Sequence, residues 1–183
     1  MPISTKTANS GLLLLENKLQ NSTFIRNMTK KEVDKQEAFD FNLFKEEWNR
    51  IRPKHRVEKT ESYCRWDAEI NGKWKVEFKD RSVDKYGNPV SITRYNKDGY
   101  YFNCKKIDCI KSILKPGEVA IGVLYFYDAW FTFPITNDSV FEKSMDGVTD
   151  PLYGDVNEEH YLIKPTQGKV YDYNSKVFGT IFV

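Results

Sequence analysis

The sequence has few cysteines and no long apolar run. Cys64, Cys104 and Cys109 include no CxxC pair and no disulfide-scaffold spacing, so we expect free thiols in an intracellular setting. The longest aliphatic run, Leu12–Leu15, is far short of the roughly 20 residues that span a bilayer. Residues 1–17 also lack the small-residue cleavage site of a secretory signal. These absences predict a cytoplasmic protein without membrane contact.

Signatures of nucleotide and metal binding are also scarce. Neither a P-loop nor a G-x-G-x-x-G pattern occurs, which argues against nucleoside-triphosphate chemistry. A zinc site built from His55, Cys64 and His160 would have no recognised ligand spacing. The acidic residues between 146 and 159 lack EF-hand spacing, so we expect a solvated loop there.

Charge is plentiful and unevenly distributed. The chain carries 28 basic and 26 acidic side chains, a net charge of +2. Residues 45–111 hold 17 basic and 11 acidic side chains, whereas residues 112–183 hold 5 basic and 10 acidic ones. A basic middle segment suits a polyanion such as nucleic acid, although a solvated surface is the commoner meaning of such an excess. Charge alone leaves both interpretations open.

The chain divides into an N-terminal arm and one domain. Residues 1–29 are rich in Ser, Thr and Asn, which predicts a flexible or loosely packed arm, and residues 30–183 form the domain. Thr29 and Glu32 have capping-box spacing, so a helix should begin there. It should end by Arg52, because a proline follows, and we expect a break near residues 40–42.

The rest of the domain alternates strands and a second helix. That helix is predicted from about Asn103 to Leu114, and a Pro-Gly pair ends it. Apolar runs at 119–128 and 130–135 predict two more strands, whereas residues 137–160 are expected to be mostly loop. The order predicts an α/β (α+β) fold, with a central mixed sheet of four to six strands flanked by helices.

A β-hairpin is predicted around Asn71-Gly72, and its loop length decides which side chains share a face. A two-residue turn would point Asp67 and Glu77 to opposite faces. An odd-length connection instead separates the charged side chains from the apolar ones, so burial of the apolar face favours it. The charged face then contains Arg65, Asp67, Glu69, Lys75, Glu77 and Lys79, and the other face Cys64, Trp66, Ala68, Ile70, Val76 and Phe78.

The charged face suits phosphodiester chemistry. Two carboxylates on neighbouring strands repel one another unless a cation lies between them, and hard divalent metals such as Mg²⁺ prefer oxygen ligands. Lys79 projects to the same side as Glu77, where its ammonium can orient an attacking water or offset phosphate charge. The alternative is a solvated face of cross-strand pairs worth roughly 0.2 to 1 kcal/mol each, which spacing alone favours.

Asp67, followed after nine residues by Glu77-Phe78-Lys79, resembles the motif of the PD-(D/E)XK nuclease superfamily. The similarity covers residues 36–135, where the order of helix, hairpin, helix and strand matches the superfamily core. Trp66 stands where many members have a proline. The resemblance implies a restriction-endonuclease-like core of the small phage or mobile-element type. It also implies metal-dependent hydrolysis of phosphodiester bonds in DNA, either structure-directed or nonspecific.

The resemblance also assigns roles to individual residues. It implies that Asp67 and Glu77 bind Mg²⁺ or Mn²⁺, with the backbone carbonyl of Phe78 as a further ligand, and that Lys79 assists the nucleophilic water. Members often add a glutamate from the first helix and a basic group from the second. Here the candidates are Glu47, preferred over Glu46, and Lys106.

Basic and aromatic side chains around the motif are candidate DNA contacts. The same fold without hydrolysis, as a nucleic-acid-binding or interaction module, is the alternative function, and a homodimer is compatible with either. The basic candidates are Arg65, Lys75, Arg81, Lys85, Arg94 and Lys105. The aromatic candidates, a type of residue that more often packs as a lid in such a loop, are Tyr86, Tyr95, Tyr100 and Tyr101.

Overall fold

A computed structural model of the chain describes residues 29–61, 64–82, 84, 88–95, 99–150 and 154–172. Nearly all of the predicted N-terminal arm therefore lies outside the described residues. The described helices and strands follow in chain order. They are α1 (Lys30–Ile51), β1 (Val57–Lys59), β2 (Ala68–Ile70), β3 (Trp74–Asp80), β4 (Tyr100–Asn103), α2 (Cys104–Ile113), β5 (Ala120–Tyr125), β6 (Ala129–Ile135), β7 (Glu142–Asp150), β8 (Gly154–Ile163) and β9 (Lys169–Asp172).

Helix α1 begins with the predicted capping box. The Thr29 N–H donates to the Glu32 carboxylate over 2.7 Å, and the Glu32 N–H donates to the Thr29 hydroxyl over 3.4 Å. The predicted break near residues 40–42 is wrong, since the helix continues to Ile51. Burial of Phe41 and Phe44 on the packed side keeps this stretch helical, so tertiary packing overrides the local sequence signal.

The main sheet has six strands in the order β1-β2-β3-β5-β6-β9. Strands β3 and β5 pair in parallel, and the other neighbouring strands pair antiparallel. The prediction of a mixed α/β fold with a four- to six-stranded mixed sheet is thereby confirmed. Because β3 and β5 are parallel, the chain between them must cross over, and β4 and α2 lie in that crossover.

Both faces of the main sheet are covered by hydrophobic cores. On one face, Phe44 and Trp48 of α1 pack with Ile121 and Val123 of β5. On the other face, side chains of α2 pack with the alternate residue Leu124. Strand β5 is buried throughout, as expected of a strand covered on both sides. The sheet therefore lies between α1 on one face and α2 on the other.

A second sheet lies on the α2 side, in the order β4-β8-β7. The sequence prediction of a mostly loop region between 137 and 160 is wrong, since β7 and β8 form a long antiparallel hairpin there. Apart from residues 161–163 at the end of β8, these strands are mostly polar, so their pairing leaves little trace in the hydrophobic pattern. The hairpin joins the core through β4, because Tyr100 and Phe102 pack with Ile163 against α2.

All three cysteines are free thiols, as predicted, and Cys104 is buried. In the described part of the chain, no helix is long and apolar enough to cross a membrane.

Candidate active site

The β2–β3 connection has the predicted odd length. Strand pairing joins Ala68 with Val76 and Ile70 with Trp74, which leaves residues 71–73 as a three-residue loop. Asn71 and Gly72 have φ values of 54° and 62°, a left-handed conformation that asparagine and glycine tolerate best. Asp67 lies just before β2, where its N–H donates to the Val76 carbonyl over 2.9 Å, and its carboxylate lies close enough to Glu77 to act on it electrostatically.

Four of the side chains predicted for the opposite, apolar face lie on it, and a fifth does not. Ala68, Ile70 and Val76 are fully buried in the α1 core, and the Phe78 ring lies 4.9 Å from the Phe44 ring. The exception is Trp66, for which the face prediction is wrong.

Trp66 lies with the charged residues. Its indole Nε1 donates to Glu69 Oε1 over 2.9 Å, and Lys75 Nζ lies 5.2 Å from its ring centroid. Residues 64–67 form a bend before β2, so strand alternation does not apply to Trp66.

Glu77 is a buried carboxyl group with one oxygen left over. The residue is 3% exposed, and its Oε1 lies 2.9 Å from Lys106 Nζ. Its Oε2 is also buried but has no hydrogen-bond partner among the described residues. Asp67 Oδ2 accepts a hydrogen bond of 2.7 Å from the Phe78 N–H, which fixes this carboxylate across the β3 backbone. A buried acceptor without a partner is costly and marks a site that a ligand can satisfy.

The burial of Glu77 arises from its neighbour on the next strand. Glu77 pairs in register with Gly122 of β5, which in turn pairs with Phe133 of β6. A Cβ atom at Gly122 would lie 2.2 Å from Cζ of Phe133, so the absence of a side chain lets this ring lie against the β5 backbone. The apolar core of the α2 side therefore extends to Glu77.

The environment of Glu77 raises its pKa strongly. Burial is the largest cause and the neighbouring Asp67 carboxylate is the second, and together they bring the pKa to about 8 from an ordinary value of 4.5. The Lys106 and Lys79 ammonium groups act in the opposite direction without cancelling the rise. A carboxyl group that resists ionisation until a cation arrives is typical of functional sites.

Two lysines approach the carboxylates from different elements. Lys79 follows Glu77 by two residues on β3, and Lys106 lies in the first turn of α2, beside the helix-capping Asn103. Burial by itself would lower the pKa of Lys106, but the Glu77 carboxylate raises it above its ordinary value. Asp67 and Glu37 add to that rise, which places Glu37 of α1 in the electrostatic neighbourhood of Lys106.

Glu47 is not part of this cluster. Its Oε2 lies 3.0 Å from Arg50 Nε and 3.2 Å from the hydroxyl of Tyr171 on β9. Strand β9 is three positions from β3, roughly 14 Å away at the usual strand spacing, and α1 covers the face opposite Glu77. Glu46, the other candidate, is exposed.

Sequence reasoning overlooked Glu37, the α1 glutamate that the structure brings near Lys106. Glu37 and Glu47 lie ten residues apart on one helix, and no local pattern distinguishes them. The error lies in the break predicted near residues 40–42. Because α1 is one continuous helix, its N-terminal part brings Glu37 into the electrostatic neighbourhood of Lys106.

The candidate DNA contacts are scattered rather than gathered. Arg65 and Lys105 are exposed, and Arg81 is partly buried beside the motif. Lys75 Nζ lies 3.7 Å from Glu118, and Arg94 Nη1 lies 3.7 Å from Asp84. Lys85, Tyr86 and the Tyr95 side chain lie outside the described residues, and Tyr101 is partly buried.

Tyr100 cannot stack on a base. It is 1% exposed, and its ring lies 4.1 Å from that of Phe131, because β4 enters the α2 core.

The residues around Glu77 fit a hard divalent cation. Asp67 and Glu77 supply carboxylate oxygens, and Glu77 Oε2 is buried without a partner. No group of three or more His, Cys, Asp and Glu side chains in the described residues could hold a metal ion. Mg²⁺ nevertheless binds commonly through one or two carboxylates, with waters and substrate phosphates as its other ligands.

Comparison with family models, curated proteins and solved structures found no match.

Proposed function

We propose that this protein is a metal-dependent nuclease that hydrolyses phosphodiester bonds in DNA, on a restriction-endonuclease-like core. The observation that carries the proposal is the Glu77 carboxyl group, 3% exposed, near Asp67 and with one oxygen unpaired. Burying a carboxyl group beside a second carboxylate destabilises a fold, so this arrangement is better explained by a cation that the two groups bind in function.

The order of elements supports the same interpretation. Helix α1 precedes three antiparallel strands, and α2 then leads into β5, which lies parallel to β3. The two carboxylates lie on the hairpin, and a lysine follows on the same strand, as the PD-(D/E)XK motif requires. Lys106 of α2 also reaches this point.

Each residue of the cluster has a role in the proposed reaction. Asp67 and Glu77 would hold Mg²⁺ or Mn²⁺. The backbone carbonyl of Phe78 would be a further ligand. The N–H of Phe78 faces Asp67, and the N–H and C=O groups of one strand residue point to the same side of the strand. The bound ion would neutralise phosphate charge and lower the pKa of a water molecule. Lys79 would orient that water, and Lys106 would contact the phosphate.

The test is cleavage of DNA by the purified full chain with Mg²⁺ or Mn²⁺. Supercoiled, linear and single-stranded DNA and a single-stranded RNA serve as substrates. We expect Asp67→Asn, Glu77→Gln and Lys79→Met each to lower the rate about 100-fold or more, since each removes a group that acts on the reacting atoms. Glu58→Gln is the matched control, because Glu58 is a half-exposed carboxylate on β1 that pairs with Arg56. Full activity in all three site variants would refute the proposal.

The alternative is a module that binds nucleic acid without cleaving it. The observation that favours it is the lack of a three-ligand metal group among the described residues. Calorimetry with Mn²⁺ separates the two functions. Retained DNA affinity that falls with salt, without Mn²⁺ binding or cleavage, would establish the alternative.

A further inference from the structure

Lys106 occupies a particular position within the carboxylate cluster. Its ammonium lies 2.9 Å from Glu77 Oε1, whereas Glu77 Oε2 has no partner among the described residues. The Lys106 side chain is 49% exposed, while that of Glu77 is 4% exposed. The lysine therefore reaches from solvent to a buried carboxyl group.

The charges around Lys106 are those that a divalent cation would meet. Glu77, Asp67 and Glu37 all act on its ammonium, and they come from β3, the bend before β2, and α1. Lys79 acts on Glu77 from the β3 side. A divalent cation at this point would place more positive charge beside Glu77, Asp67 and Glu37 than the Lys106 ammonium does.

We propose that Lys106 is an internal counter-cation, which holds Glu77 while the protein is free of metal and moves to a substrate phosphate when a divalent ion is bound. This inference rests on the proposed function and concerns the same site. The lysine has two alternative partners. Glu77 binds it at 2.9 Å, and the solvent-exposed part of its side chain gives it access to a phosphate outside.

The consequence is that a metal ion that binds Glu77 must displace Lys106 from it. Lys106→Met should therefore bind Mn²⁺ more tightly than the wild-type protein. We expect a change of roughly tenfold, which corresponds to about 1.4 kcal/mol. The same variant should bind DNA more weakly in the presence of metal, because a phosphate contact is lost.

Calorimetric titration of the full chain with MnCl₂ tests the proposal. Lys105→Met is the matched control, because it removes the same charge from an exposed neighbouring position on α2. Lys106→Arg keeps the charge, so this variant should bind Mn²⁺ no more tightly than the wild-type protein does. Circular dichroism confirms folding, and if Lys106→Met does not fold, Lys106→Gln takes its place.

The outcomes separate this inference from the proposed function. Tighter Mn²⁺ binding by the Lys106 variant alone supports the counter-cation role, even where the wild-type protein binds too weakly to measure. Equal or weaker Mn²⁺ binding by Lys106→Met, or the same gain in affinity in Lys105→Met, overturns the counter-cation role. Either result leaves the proposed nuclease function standing if the protein cleaves DNA. Absence of Mn²⁺ binding in every protein, together with absence of cleavage, overturns both proposals.

Discussion

Replacing Glu77 by glutamine should make the protein more stable at neutral and alkaline pH. The native pKa of Glu77 is about 8, because the group is buried beside Asp67, while its ordinary value is 4.5. At pH values between 4.5 and about 8, Glu77 keeps its proton in the folded chain and loses it in the unfolded chain. The free energy of unfolding therefore falls as pH rises across this window, and Glu77→Gln removes that fall.

The size of the effect follows from the shift. One proton difference lowers the free energy of unfolding by about 1.4 kcal/mol per pH unit, so raising the pH from about 5.5 to about 7.5 should cost about 3 kcal/mol. The glutamine side chain mimics the protonated carboxyl group, so the variant and the wild type should have the same free energy of unfolding at about pH 5.5. At about pH 7.5 the free energy of unfolding of the variant should be higher by about 3 kcal/mol.

Urea unfolding in EDTA measures both proteins, with tryptophan fluorescence and circular dichroism as readouts. The difference between wild type and variant at each pH isolates the effect of Glu77 together with the groups coupled to it, Asp67 and Lys106. Adding Mn²⁺ should restore wild-type stability at neutral pH but leave Glu77→Gln unchanged. If the free energies of unfolding of the two proteins change with pH in parallel, the reasoning is refuted, because Glu77 would then have the same pKa in the folded and the unfolded chain.

Three further variants test α1. Glu37→Gln should change the Mn²⁺ dissociation constant measured by calorimetry, because Glu37 acts on Lys106. Glu47→Gln should leave that constant unchanged, because Glu47 contacts Arg50 and Tyr171 instead. Equal effects of the two variants would contradict this assignment. Thr29→Ala should lower the free energy of unfolding by about 1 kcal/mol, because it removes the hydroxyl of the capping box, and an unchanged urea midpoint would count against that contribution.

Features that depend on local chemistry could be predicted from the sequence. The capping box of Thr29 and Glu32, the ends of α2 near Asn103 and Leu114, and the odd-length loop at Asn71 were all predicted and are present. Caps and turns are set by neighbouring residues, and the hairpin register follows from the need to bury one face. These signals lie within a few residues of the structure that they specify.

The tertiary structure was needed to show which distant groups meet. Strands β7 and β8 are mostly polar, so the hydrophobic pattern does not reveal their pairing. The position of Glu37 rather than Glu47 near Lys106 depends on how α1 lies across the sheet, and the pKa of Glu77 depends on its burial and on the neighbouring Asp67. Burial and charge proximity are properties of the packed chain, because they arise between residues far apart in sequence.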